Sequence, residues 1–100
     1  MITTGLIVRL TAKAGKAEEL AAFLHGALTL VQDEPDTVAW FAVRIGPASF
    51  AIVDAFPDEE GRQAHLDGPV ATALFGKADE LLEMPPQIEY VDVLAAKLPG

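Results

Sequence analysis

The chain has 100 residues, with 15 Asp or Glu against 7 Lys or Arg, so its formal net charge is −8. This acidic balance, without a Lys/Arg cluster, argues against binding to nucleic acid or to an anionic membrane. The chain has no cysteine, which excludes disulfide bonds, a thiol nucleophile and cysteine metal sites. No apolar run is long enough to span a membrane, and the N-terminus lacks a signal-peptide pattern. We therefore expect a single cytoplasmic domain over residues 1–100.

Hydrophobic residues make up 51% of this acidic chain. A domain of this length buries only about two-thirds of its unfolded surface when it folds alone. The apolar excess therefore predicts a partner surface, and a second copy of the same chain is the simplest partner.

The first half of the chain predicts a strand, a helix and a β-hairpin. Residues 4–12 are rich in aliphatic side chains and predict a strand. Apolar residues then recur at helical spacing from about 15 to 33, and the helix is expected to stop before Pro35. Residues 37–46 and 49–56 are β-branched and aromatic, and the short Gly-Pro segment between them predicts a hairpin.

The second half predicts a broken helix and a fourth strand. Asp58 is the expected N-cap of the helix, and Asp67-Gly68-Pro69 interrupts it, with Pro69 suited to open a renewed helix. Residues 87–97 predict the last strand. The order β-α-β-β-α-β is typical of a ferredoxin-like α+β domain, with both helices on one face of a four-stranded antiparallel sheet of strand order 4-1-3-2.

The hairpin strands are apolar on both faces, as residues 38–43 and 50–53 show. Helices can cover only one face of such a sheet, and the other face of a monomer should be polar. The pattern therefore predicts a homodimer closed through the sheet faces.

Residues 54–69 resemble the strand-to-helix signature of the antibiotic biosynthesis monooxygenase family. An acidic residue and an aromatic, Asp54 and Phe56, close the strand, and a helix with Ala-His-Leu at His65 precedes a Gly-Pro break. Residues 14–20 resemble that family's entry into its first helix, and residues 34–36 resemble its Glu-Pro-Gly turn. The resemblance covers nearly the whole chain. It implies a dimeric α+β barrel that oxidises a quinol or an aromatic polyketide-like molecule with O₂ and no cofactor.

The chain also departs from that family at several positions. Val70 stands where a second histidine is usual, Asp54 replaces the commoner Glu, and Asp36 replaces Gly in the turn. The haem-degrading branch of the family needs an Asn on the first strand and a Trp closing the third. The first strand here has no Asn and Phe56 closes the third, so the resemblance does not extend to haem degradation.

Four residues are candidates for the chemistry. Oxygenation without a cofactor needs a base that makes an electron-rich anion, and the imidazole of His65 suits that task. Asp54 would orient His65, and Arg44 or Arg9 would stabilise a bound phenolate. The alternatives are a structural hydrogen bond of His65 at the broken helix, and an ion-pair network in which Arg9 reaches Asp54 or Asp92. His25 falls on the polar face of the first helix and is expected to be solvated.

Trp40, Phe56 and Tyr90 are the predicted walls of a pocket for a small apolar or aromatic ligand. Core packing is the alternative role of these side chains. The sequence predicts no metal and no cofactor. The rival function is a non-catalytic dimeric protein of the same fold that binds a small ligand or acts in a stress response.

Overall fold

The computed structural model describes residues 1–99 and has the ferredoxin-like α+β order expected from the sequence, with the second helix divided in two. Four antiparallel strands form one sheet of order β2-β3-β1-β4, which is the predicted order. The elements are β1 Thr4–Thr11, α1 Ala17–Val31, β2 Ala39–Arg44, β3 Ser49–Phe56, α2 Glu59–Leu66, α3 Pro69–Leu81 and β4 Gln87–Asp92.

Helix α1 is shorter at both ends than the predicted range of 15 to 33. Gly15 has φ +79°, a left-handed conformation that cannot continue into a right-handed helix. At the other end Pro35 disfavours helical geometry at Glu34, and the Glu34 amide closes a turn onto the Val31 carbonyl at 2.9 Å. Glu34 is thereby placed in the loop between α1 and β2.

The break between α2 and α3 follows the predicted pattern. The Asp58 carboxylate accepts a hydrogen bond from the Gly61 amide at 2.9 Å, and Pro69 opens α3. Gly61 lies close to the neighbouring loop, because a Cβ at this position would approach the Asp36 Cβ to 3.1 Å. Glycine at position 61 thus allows the N-terminus of α2 to pack against the turn that follows α1.

Strand β4 ends at Asp92, and the predicted extension to residue 97 is wrong. Asp92 pairs with Thr4, the first residue of β1. One further bond joins the Val93 amide to the Thr3 carbonyl at 2.9 Å. Beyond it the chain runs past the start of its neighbouring strand, so residues 94–97 have no ladder to join.

The core lies between the three helices and one face of the sheet. Alternate residues of β1 and β3 point into it, among them Val8, Leu10, Phe50 and Ile52. Leu20 and Leu24 from α1 and Leu74 and Leu81 from α3 cover them. Nearly full burial of these aliphatic and aromatic side chains is the main source of stability.

The opposite face of the sheet carries no helix. Phe41, Val53 and Ile7 form one row across β2, β3 and β1, because each is the register partner of the next. Phe41 is 57% exposed and Val53 39% exposed. None of the helices within residues 1–99 is long and apolar enough to cross a membrane.

Candidate functional site

A buried histidine lies between two carboxylates on the helix side of the sheet. His65 Nδ1 donates to Glu34 Oε1 at 2.5 Å, and Nε2 lies 3.1 Å from Asp54 Oδ2. His65 is 7% exposed and the Asp54 side chain is completely buried. We call Glu34, Asp54 and His65 the His65 cluster; it joins the loop after α1, strand β3 and the end of α2.

The register of the sheet decides which face carries Asp54. Asp54 pairs with Leu6 on β1 and with Trp40 on β2, and all three lie on the face covered by the helices. The Phe56 ring, two residues further along the same face, lies 5.4 Å from the His65 ring at an interplanar angle of 41°. The fold thus brings Asp54, Phe56 and His65 together on the helix side of the sheet.

For both Asp54 and His65, burial and the contact between the two side chains shift the pKa in opposite directions. Burial raises the pKa of Asp54, and this desolvation outweighs the favourable contact with His65. Burial by itself would lower the pKa of His65, but the hydrogen bonds and the negative charges of Asp54 and Glu34 outweigh it and raise that pKa. The raised pKa favours a protonated imidazole near neutral pH, with both ring nitrogens facing carboxylates.

Several polar atoms of this region are buried without a hydrogen-bond partner in the described chain: Glu34 Oε2, Asp54 Oδ1 and Trp40 Nε1. Such atoms cost free energy, and most buried polar groups in folded proteins are paired. The His65 cluster therefore lowers the free energy of unfolding relative to an apolar core at the same position. Among the described residues, no group of three or more acidic or histidine side chains is arranged to hold a metal ion.

A separate cleft of about 490 Å³ opens between α1 and β2. Its walls are mostly apolar and aromatic, and Glu18, His25 and Arg44 are its ionisable side chains. Arg44 donates to Glu18 Oε2 at 3.0 Å, and its guanidinium lies over the Phe50 ring at 5.0 Å. The size and the lining suit a small aromatic ligand. We call this the α1–β2 cleft; its lining also includes Trp40, Phe41 and Leu28.

The structure divides the predicted site residues between different places. Trp40 and Arg44 line the α1–β2 cleft, whereas His65, Asp54 and Phe56 are absent from its lining. Phe56 is fully buried beside the His65 ring.

The expectation that Arg9 reaches Asp54 or Asp92 is wrong. Arg9 pairs with Glu89 at 3.0 Å. Odd-numbered β1 residues face away from the helices, whereas Asp54 faces them, so the two side chains lie on opposite sides of the sheet.

Tyr90 lies outside the α1–β2 cleft, on β4, at the far edge of the sheet from β2. It is 60% exposed, and the guanidinium of Arg62 lies 4.8 Å from the centre of its ring. Arg62 is itself buried, pairs with Glu59 and donates to the Gly5 carbonyl at 3.1 Å. This arginine ties α2 to the sheet; its position in a short polar helix gave no sign of that contact.

Sequence reasoning also missed Glu34 and His25. Glu34 lies 31 residues from His65 along the chain, and only the folded loop brings the two together. His25 is exposed on α1, as the sequence predicts, but it also lines the α1–β2 cleft. The spacing between Glu18 and His25 could have indicated that both belong to one site, since residues seven apart are about two helical turns apart on one face.

No protein-family profile matches the sequence, and no curated protein matches it. Among solved structures, a protein of unknown function from Nitrosomonas europaea is 53% identical and superposes with a TM-score of 0.98. That match covers 100% of this chain and 97% of the other. The chain therefore belongs to the same family as this Nitrosomonas protein.

More distant structures share the fold. A protein named "putative antibiotic biosynthesis monooxygenase" from Nitrosomonas europaea is 15% identical with a TM-score of 0.82, over 92% of this chain and 90% of that one. A protein of the same name from Caulobacter crescentus is 16% identical with a TM-score of 0.81, over 94% and 92% of the two chains. At these identities the likeness establishes the fold, which is the one that the resemblance of residues 54–69 implies.

Proposed function

We propose that this protein is a cofactor-independent monooxygenase that oxidises a quinol or an aromatic polyketide-like molecule with O₂ in the α1–β2 cleft. The observation that carries the proposal is the cleft itself: about 490 Å³, aromatic walls and a single arginine at one end. The fold that this chain shares with two proteins named "putative antibiotic biosynthesis monooxygenase" supports it.

The reaction requires the protein to bind the substrate and to stabilise its negative charge. Loss of a proton from the substrate gives an electron-rich anion, and this anion transfers electrons to O₂. One oxygen atom enters the substrate and the other leaves as water, and the substrate supplies both electrons and both hydrogens of that water. Trp40 and Phe50 would exclude solvent from the reacting ring, and Arg44 would stabilise the anionic oxygen.

A second function is favoured by one specific observation. Both ring nitrogens of His65 face carboxylates, and the raised pKa of this histidine favours its protonated form. To act as the predicted base, His65 would first have to lose a proton and give up its contact with Glu34 or Asp54. A non-catalytic protein that binds an aromatic ligand in the same cleft needs no such release, and it is our alternative proposal.

A measurement of turnover distinguishes the monooxygenase from the non-catalytic binding protein. Anthrone and 1,4-naphthoquinol, supplied under ¹⁸O₂, should give products that carry one labelled oxygen atom at a rate that depends on the protein. Arg44→Gln should lower kcat about a hundredfold, the usual effect of removing one donor to a developing anion. Lys77→Gln, an exposed substitution on α3, is the control. Tight binding of these compounds without labelled product would establish the binding protein and overturn the oxygenase.

We also propose that the protein is a homodimer closed through the helix-free sheet face. Phe41, Val53 and Ile7 form an apolar row in the middle of that face, and monomeric proteins rarely leave such rows in contact with water. A second sheet packed against the first would cover them, because two sheets pack face to face at about 10 Å.

A further inference from the structure

We propose that His25, and not His65, is the proton acceptor of the α1–β2 cleft, and that it takes the proton of a phenolic hydroxyl from a flat polycyclic ligand whose other end lies at Arg44. The proposal rests on the function proposed above, and it names the base and the ligand class of the same cleft.

One face of α1 supplies the polar side chains of this cleft. Glu18, Ala21, His25 and Leu28 recur at intervals of three and four residues, and all four line the cleft. Residues with this spacing lie on one side of a helix. Glu18 and His25 are two turns apart, or about 10 Å along the axis.

Strand β2 runs beside that helix face in the opposite direction. Arg44, at the end of β2, bonds to Glu18 near the start of α1. Trp40, about 13 Å back along the strand, packs against Ala27 and Val31 in the second half of α1. The cleft therefore has the Arg44–Glu18 pair at one end and Trp40 with His25 towards the other. A polycyclic ligand lying along it would reach both.

His25 is the uncommitted base of this cleft. The other ionisable lining residues, Glu18 from α1 and Arg44 from β2, are paired with each other. Within residues 1–99, no side chain or backbone group forms a hydrogen bond to the ring of His25. The imidazole of His65, by contrast, is held by two carboxylates and buried.

The proposed step is a single proton transfer. The O–H bond of the ligand breaks, an N–H bond forms on the His25 ring, and a phenolate and an imidazolium result. An unprotonated imidazole nitrogen accepts such a proton as a general base. Arg44 donates to an acceptor oxygen at the opposite end of the ligand, since a guanidinium only donates. When that oxygen is a ring carbonyl conjugated with the hydroxyl, part of the phenolate charge develops on it, and Arg44 stabilises this charge. The ligand class is therefore a hydroxylated polycyclic aromatic with a carbonyl or a second oxygen remote from the hydroxyl.

A coloured phenol tests the step without turnover. The probe is 2-hydroxyanthraquinone, whose absorption moves to longer wavelength when its hydroxyl ionises, at a pH where the free dye stays protonated. Trp40 is the only tryptophan of the chain, so quenching of its fluorescence measures binding in the cleft independently. The unmodified protein should quench and should show the phenolate band. His25→Gln should still bind the dye but lose the band, whereas His65→Gln and the exposed control Glu19→Gln should retain it.

The opposite results overturn the proposal. A bound dye that stays protonated in the unmodified protein, or a His25→Gln variant that keeps the phenolate band, excludes His25 as the acceptor. Loss of the band in His65→Gln alone assigns the base to His65 instead. Failure of the dye to quench Trp40 excludes this ligand class. A phenolate band with no turnover of anthrone would leave the proton acceptor in place while overturning the oxygenase, so the two proposals fail separately.

Discussion

At the scale of single residues, the His65 cluster makes the stability of the protein depend on pH. The pKa values of both His65 and Asp54 are raised in the folded state, so the folded chain binds these protons more tightly than the unfolded chain does. The contribution of these two groups to the free energy of unfolding must then fall as the pH rises. For His65 the contribution is complete below its ordinary pKa of about 6.5, and it is lost as the pH rises through the folded value.

Urea unfolding between about pH 6 and about pH 9 measures this effect. The midpoint should decrease with rising pH, and the decrease should become smaller in His65→Gln. At the acidic end this substitution should cost about 3 kcal/mol, because it leaves the buried Asp54 carboxylate and the partly buried Glu34 carboxylate without their cation. Gln63→Ala, exposed on the same helix, should change stability by less than about 0.5 kcal/mol. A midpoint that rises with pH would show that the cluster is not protonated as described.

The sequence could predict part of this cluster and not the rest. His65 and Asp54 were recognised because a strand-closing acid and a helical histidine stood at a characteristic spacing. The face that carries Asp54 could not be decided from the sequence, since a slip of one residue in the hairpin exchanges the faces. Glu34 could not be found at all, because its contact depends on where α1 ends and how the following loop folds back onto α2.

At the scale of elements, Gly76 and Gly61 differ in the space that surrounds an added side chain. Gly76, in the middle of α3, has no heavy atom within 4 Å of an added Cβ, whereas at Gly61 an added Cβ would meet the Asp36 Cβ at 3.1 Å and the Phe56 Cβ at 3.4 Å. Gly76→Ala should therefore stabilise the protein by about 1 kcal/mol through helix propensity alone. Gly61→Ala should give no net gain, since the loop at Asp36 must move away.

The two glycine variants are matched controls for each other in urea unfolding. An equal gain in both would mean that the contact between α2 and the loop at Asp36 is loose.

The same contact shows why element boundaries were harder to predict than element types. Helix periodicity and turn residues identify α1 and the broken helix, but the ends are decided by local geometry, such as the positive φ of Gly15 and the bond from Val93 to Thr3 beyond β4.

At the scale of the whole molecule, the apolar excess of this acidic chain has a definite location. The helices cover one face of the sheet, and the row from Phe41 through Val53 to Ile7 lies on the other. The sheet order was predictable because the βαββαβ order leaves few other arrangements. The position of the α1–β2 cleft was not predictable, because it depends on how far α1 stands from the edge strand β2.

The proposed dimer makes a prediction about that row. Val53→Glu would place a charge near the centre of the sheet-to-sheet contact, where its burial is uncompensated. The expected cost is about 3 kcal/mol, which is about a hundredfold in the dimer Kd. Sedimentation velocity at micromolar concentration should show a dimer for the unmodified protein and a large monomer fraction for Val53→Glu.

Phe75→Glu is the matched control for Val53→Glu. Phe75 is also a large exposed hydrophobic residue, but it lies on α3, in the helix layer, so the substitution should leave the dimer intact. A monomer in the unmodified protein would overturn the proposal and would leave the exposed row in need of another partner. Dissociation by Phe75→Glu alone would place the contact on the helices instead. Because β2 also forms one wall of the α1–β2 cleft, loss of the dimer should weaken ligand binding only if the partner's sheet supports that edge strand.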